Sequence, residues 1–218
     1  MHARRVSVSK PPEWTPPRPL PTPYETPRIV IRWWRPDDAA AMLAAIEVDR
    51  TALLPWLPWV RADNHTVAEC VYNIERFRRT REQKESTPVD FAVGLFDHDS
   101  GEPIGGSGFH RIDIETHQAE IGYWVRGDRH RQGLGTEATA AMLTWGFAPI
   151  AEGGWGFRRI EIHCAGSNLG SRRIPEKLGM RLEMTLVRDR WVDGIGYDDT
   201  LGFALLATEW NPVTQRAR

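Results

Sequence analysis

The sequence predicts a mixed α/β domain built on a largely antiparallel sheet. Three observations lead there. Short apolar or alternating runs, the pattern of strands, recur at residues 28–34, 89–96, 104–112, 117–125, 158–164, 180–192 and 197–206. Helix-period segments interrupt them at residues 39–48, 66–84, 133–150 and 171–178. The run Asp97-His98-Asp99-Ser100-Gly101-Glu102 has the composition of a hairpin turn, so the strands on either side of it pair antiparallel. At 218 residues the chain is long enough to enclose a full core in one domain.

Taken in order, residues 1–27 form a proline-rich arm, with Pro11, Pro12, Pro16, Pro17, Pro19, Pro21, Pro23 and Pro27 in close succession. Proline fixes φ and removes a donor, so this stretch favours an extended conformation, draped on the surface or on a neighbouring subunit. The domain proper spans residues 28–210, and 211–218 are a tail. After the first strand, Pro36-Asp37-Asp38 opens a helix, with proline in the first turn and carboxylates at the positive end of the dipole. The block at 53–60 holds two prolines, too broken for a long helix. Its residues Trp56 and Trp59 are either a hydrophobic plug between helices or a wall of a substrate groove. Residues 66–84 form a helix with an apolar face at Val67, Cys70, Val71, Ile74 and Phe77. Gly105-Gly106-Ser107-Gly108 lies inside a strand with no helix after it, which indicates close strand packing or a bulge rather than phosphate binding.

A formal charge of −1 with interspersed signs gives no footprint for nucleic acid. Cys70 and Cys164 are far apart and lack metal-ligand spacing. No apolar run approaches membrane-spanning length, and residues 1–10 lack the apolar stretch of a secretory signal. The expectation is a cytoplasmic protein without a membrane or nucleic-acid partner. Ten tryptophans exceed what packing alone needs, so some line a groove or a contact between copies in a homo-oligomer.

The most informative stretch runs from Glu120 through Tyr123, Trp124 and Val125, turns at Gly127, and continues through His130-Arg131-Gln132-Gly133-Leu134-Gly135-Thr136 into a long helix. A strand ending in a glycine loop at a helix start leaves the first helical amides free for an anion. Gly133 and Gly135 lack a Cβ, so a phosphate can approach the main chain closely. The residues fit neither a P-loop nor a complete dinucleotide fingerprint.

Further along, the strand at 158–164 leads to Asn168, Ser171 and the run Glu176-Lys177-Leu178-Gly179. With Thr136-Glu137-Ala138 and Leu57-Pro58-Trp59, these pieces stand in an order that resembles the GNAT acyltransferases, specifically the RimJ/RimL-type N-acetyltransferases that modify protein N-termini. The likeness covers roughly residues 26–210. It implies a sheet splayed at its centre, with acyl-CoA, from acetyl-CoA or succinyl-CoA, as co-substrate rather than a resident cofactor. It assigns Tyr123, Trp124, Val125 and Asn168 to pantetheine, and the loop from His130 to Thr136 to pyrophosphate. The loop signature of the family begins with Gln or Arg where this chain has His130, and Arg131 can supply the charge.

In the RimL branch a serine three residues after the Asn protonates the leaving thiolate, and Ser171 matches it. The glutamate that serves there as base is replaced by Arg190. Glu120 is the substitute expected here, with a carboxyl moved toward neutrality by a partly dry cleft, and Glu183 is a second candidate. Arg190 is either a receptor for the free carboxylate of a succinyl group or a surface partner of Asp189 or another acid. Ser171 is equally read as an N-cap. The leading expectation is an N-acyltransferase acting on a protein N-terminus, a lysine or a small molecule. A non-catalytic acyl-CoA-binding module and an interaction role for the arm are the alternatives.

Overall fold

The computed structural model describes residues 10, 12–83 and 90–212. Val89 and Lys84, expected as element ends, and most of the C-terminal tail lie outside them. Eight strands form one sheet in the order β1-β2-β3-β4-β5-β6-β8-β7. They are β1 (Tyr24–Glu25), β2 (Ile29–Arg32), β3 (Phe91–Asp97), β4 (Pro103–Asp113), β5 (Gln118–Val125), β6 (Arg159–Ala165), β7 (Arg181–Val192) and β8 (Gly196–Leu206). Every neighbouring pair is antiparallel except β5 and β6.

That one parallel pair decides the shape. Gln118, Ala119 and Glu120 pair with Arg159, Ile160 and Glu161, after which the two strands have no further partners in common. Residues 121–125 of β5 and 162–165 of β6 diverge and open a wedge in the sheet.

Helices cover both faces. On one side α1 (Ala39–Glu47), α2 (Arg50–Leu53), α3 (Pro58–Ala62) and α4 (Val67–Glu82) close over Trp34, Val60, Cys70, Ile74 and Phe96. The chain enters α1 through a 3-10 turn at Pro36–Asp38, where Arg32 makes a two-pronged bond to Asp38 at 2.7 and 2.9 Å. The Thr66 hydroxyl accepts from Glu69 N–H and caps α4, which buries Cys70, Asn73 and Ile74, whereas Val67 is exposed. On the other side α5 (Leu134–Phe147) and α6 (Leu169–Lys177) pack on the larger core.

The arm departs from the expectation of a surface drape. Trp14 is 2% exposed and belongs to the main core. Its indole N–H donates to the Trp155 carbonyl at 2.7 Å, its main-chain N–H donates to Ile114 O, and its ring stacks on Phe157 at 5.1 Å.

The β3–β4 connection is held by a carboxylate. Asp97 Oδ1 accepts from the Ser100 N–H at 3.0 Å and its other oxygen from Arg129. The Ser100 amide and then Arg129 hold this carboxyl down, at about 2. A depressed carboxyl contributes stability that is complete above the unfolded value of about 3.9 and disappears as pH falls toward the folded one. The stability gap between wild type and Asp97→Asn is therefore expected to be larger at pH 6 than at pH 2 in denaturant titrations; a gap independent of pH would refute this role.

Candidate active site

The wedge is the mouth of a cleft of about 700 Å³. Its floor is β5 from Glu120 to Val125, and β6 residues Ile162 to Ala165 form the facing wall. Tyr123, Trp124, Val125, His130, Arg131, Gly133, Leu134, Gly135, Thr136, Asn168, Ser171, Glu120, Trp56 and Arg190 all line it. Three sequence-derived residues do not, the first two being Gln132, which donates to the Asp128 carbonyl, and Trp59, which faces another cavity with its ring 6.0 Å from that of Trp124. Glu183 is also outside the cleft, paired with Arg159 and Arg181.

At the mouth, Arg131 and Gly133 both have left-handed backbone, φ +60° and +80°, which turns the chain into α5. Gly133 is the N-cap and no side chain caps the helix, so the first amides of α5 are open to an incoming anion. Gly135 allows α6 to close on the loop, since a Cβ there would lie 2.9 Å from Ile174 Cδ1. The departure at His130 has a structural use: Nε2–H donates to the Val125 carbonyl at 2.7 Å, tying the loop to the end of β5. That bond occupies one of the main-chain acceptors expected to serve pantetheine.

Arg28, not singled out from sequence, braces the loop from below. Its guanidinium donates to the Gln132 carbonyl at 3.0 Å and to Glu137 at 2.6 Å. Arg173 and Lys177, one helical turn apart on α6, add positive charge to the cleft wall, and their i, i+4 spacing was the available signal.

The residues expected to handle protons, Glu120 and Ser171, also line the cleft. Asn168, not Ser171, is the N-cap of α6: its Oδ1 accepts from the Ser171 N–H at 3.0 Å. The Ser171 hydroxyl is thereby free to meet the Tyr123 hydroxyl at 3.1 Å. Burial raises the Tyr123 phenol, so it stays protonated, and burial likewise pushes the Cys164 thiol up.

Glu120 corrects an expectation. Burial does push its carboxyl up, but the hydrogen bond and charge of His163, with the charges of Arg111 and His110, outweigh that and leave it below its ordinary value. His163 is the missed neighbour, and it lies between Glu120 and Glu161 with each ring nitrogen 3.1 Å from a carboxylate. Those contacts raise its pKa, chiefly through Glu120. Nothing local in the sequence pairs positions 120 and 163; the parallel β5–β6 register does.

Arg190 follows a register slip between Leu186 and Arg190, where Arg188 has φ +53°, and reaches the cleft wall. Among the described residues no carboxylate lies within ion-pair distance of its guanidinium, so no direct pair with Asp189 or another acid forms; Asp198, its partner across β7 and β8, feels its charge at longer range.

A sheet split between two parallel strands, with an anion-ready helix start at the split, defines the class of acyltransferases that act on coenzyme A thioesters. The comparisons agree: residues 28–181 match the model of the acetyltransferase (GNAT) domain. The chain belongs to this family of N-acyltransferase enzymes, and its sheet is the splayed sheet the resemblance implied. YdaF of Bacillus subtilis (strain 168), named provisionally as a ribosomal N-acetyltransferase, is 28% identical over 84% of this chain and 93% of its own length. RimJ of Mycobacterium smegmatis, solved in complex with CoA-disulfide, superposes with a TM-score of 0.71 at 25% identity, covering 87% of this chain and 88% of that one. A GCN5-related N-acetyltransferase from Brucella melitensis gives 0.70 at 25% identity, over 94% and 87%. Among the described residues no helix is long and apolar enough to cross a membrane.

Proposed function

We propose that the protein transfers an acyl group from a coenzyme A thioester to a primary amine, with a protein N-terminus, as in the ribosomal acetyltransferases it resembles, as the first acceptor to test. The observation that carries this reading is the wedge between β5 and β6, with the uncapped start of α5 at its mouth. Pyrophosphate rests on the amides from Gly133 to Thr136, with Arg131, Arg173 and Lys177 supplying charge. Pantetheine runs along Tyr123 and Trp124, opposite Asn168. Holding thioester and amine together in a narrow slot supplies much of the acceleration. When the C–S bond breaks, the Ser171 hydroxyl, backed by Tyr123, protonates the leaving sulfur. Glu120, held in place by His163, acts as a carboxylate, ionised at neutral pH, that attracts the incoming ammonium.

Acetyl-CoA is the donor that the relatives' names support. The guanidinium of Arg190 on the cleft wall, offset only at longer range by Asp198, favours a second donor, succinyl-CoA, whose terminal carboxylate would form a charge-assisted pair there. Thermal unfolding with each thioester at equal concentration tests both. We expect stabilisation by acetyl-CoA, of about 2.7 kcal/mol at a hundredfold excess over Kd. A larger shift with succinyl-CoA, lost in Arg190→Ala, is expected; equal shifts would remove the succinyl donor, and no shift with either would remove the coenzyme site.

A further inference from the structure

A second cavity of about 330 Å³ opens on the α1–α4 side of the sheet and shares Gly122, Tyr123 and Trp124 with the coenzyme cleft. The two spaces therefore meet along β5, where the reading above puts the thioester. Its walls combine aromatic rings, Trp34, Trp59, Trp124 and Phe77, with the carboxylates Asp63 and Asp90. That mixture suits a positively charged amine carried on an apolar or aromatic residue. Asn73, which lines the cavity at 2% exposure, donates through Nδ2 to Asn64 Oδ1, while its own Oδ1 is buried and has no hydrogen-bond partner. A buried acceptor in that state is a place for a donor from a ligand.

His110 also faces this cavity. It stands on β4 directly across from Glu120, and its Nδ1 meets Asp90 Oδ1 at 2.5 Å. The ring lies over two glycines: a Cβ on Gly108 would be 2.7 Å from Nε2, and one on Gly122 would be 3.3 Å away. The glycine-rich strand is what makes room for it. Of the two histidines flanking Glu120, His163 has both nitrogens engaged by carboxylates, whereas His110 has Asp90 on one nitrogen and, among the described residues, no hydrogen-bond partner on the other.

We propose that the acceptor amine enters through this second cavity and that His110, oriented by Asp90, takes its proton. This deepens the reading above and rests on it. The ammonium gives one proton to Nε2. The freed lone pair forms the C–N bond to the thioester carbonyl carbon, and the C–S bond breaks. Sulfur takes the second amine proton through Ser171, and the imidazolium returns its proton to solvent, leaving amide and free thiol. Asp90 is a positioning residue: by accepting from Nδ1–H it presents the basic nitrogen to the cavity. Other charged groups at the imidazole are Glu120 from β5 with its partner Arg111, and Asp63 and Arg76 from the helical side.

The test is thiol release from acetyl-CoA by wild type, His110→Gln, His110→Ala and Asp90→Asn, with peptides bearing N-terminal Phe, Leu or Ser and with phenethylamine. Binding of acetyl-CoA by calorimetry runs in parallel. The expected result is a loss of about a hundredfold or more in kcat/KM for both His110 variants and a smaller loss for Asp90→Asn, with acetyl-CoA affinity unchanged. In His110→Gln the acidic limb of the kcat/KM pH profile should follow the ionisation of the acceptor amine alone, differing between the peptides and phenethylamine, which loss of a purely structural residue would not cause. An active wild type with His110 variants of equal rate and pH profile overturns the proposal and leaves the acyltransferase reading intact. A wild type that binds no acetyl-CoA, or releases no thiol with any of these amines, overturns both.

Discussion

Truncating Trp14 to alanine is expected to remove about 3–5 kcal/mol of stability, the range for deleting a large aromatic side chain from a packed core. The residue stands in a proline-rich stretch that looks dispensable, yet its ring sits among Phe91, Trp155 and Phe157, with centroids 6.4, 6.3 and 5.1 Å away. Its loss would open a cavity and leave the Trp155 carbonyl without the indole N–H that now donates to it. Most domains have only 5–15 kcal/mol in hand, so a change of this size would be visible as a large drop in the denaturant midpoint. A loss below about 1 kcal/mol, well under that range, would show that the arm is peripheral after all. The surrounding prolines reinforce the anchor by limiting how many conformations the unfolded arm can explore.

Gly133→Val is expected to weaken acyl-CoA binding by roughly tenfold to a hundredfold. Two costs combine. The position has φ +80°, and holding a β-branched residue in a sparsely populated region costs of order 1–3 kcal/mol. At about 1.4 kcal/mol per decade, that alone gives a large part of the loss if the loop relaxes away from the anion-binding geometry. The branched side chain also stands where the diphosphate is proposed to approach the main chain. Calorimetric titration with acetyl-CoA measures the effect, and far-UV circular dichroism separates it from unfolding. An unchanged Kd in a folded variant would place the diphosphate elsewhere.

What the sequence reveals follows the range of the interactions involved. The turn at Asp97, the proline-led entry to α1 and the glycine loop before α5 depend on contacts within a few residues, and each is readable locally. The cleft lining around Tyr123 and Ser171 could be assembled through the family resemblance, because the relevant motifs lie in a fixed order. Trp14 was hidden, since composition describes the prolines around it and not the distant aromatic pocket that receives it. His163 and His110 were hidden for a similar reason: both become neighbours of Glu120 only once β4, β5 and β6 are in register. The direction of the Glu120 shift turned on those neighbours, so burial alone predicted the wrong sign. Trp56 and Trp59, three positions apart along the chain, part company because Pro58 starts α3 between them and the second ring faces the other cavity.

The brief β5–β6 pairing has one more effect. Two blocks of the sheet are riveted together at a seam three residues long, with α5 bridging beneath, and a guest threaded into the gap would act as a missing lath between strands that no longer pair with each other. Occupancy and rigidity are then the same variable, and the endurance of the folded protein would rise and fall with the supply of thioester around it.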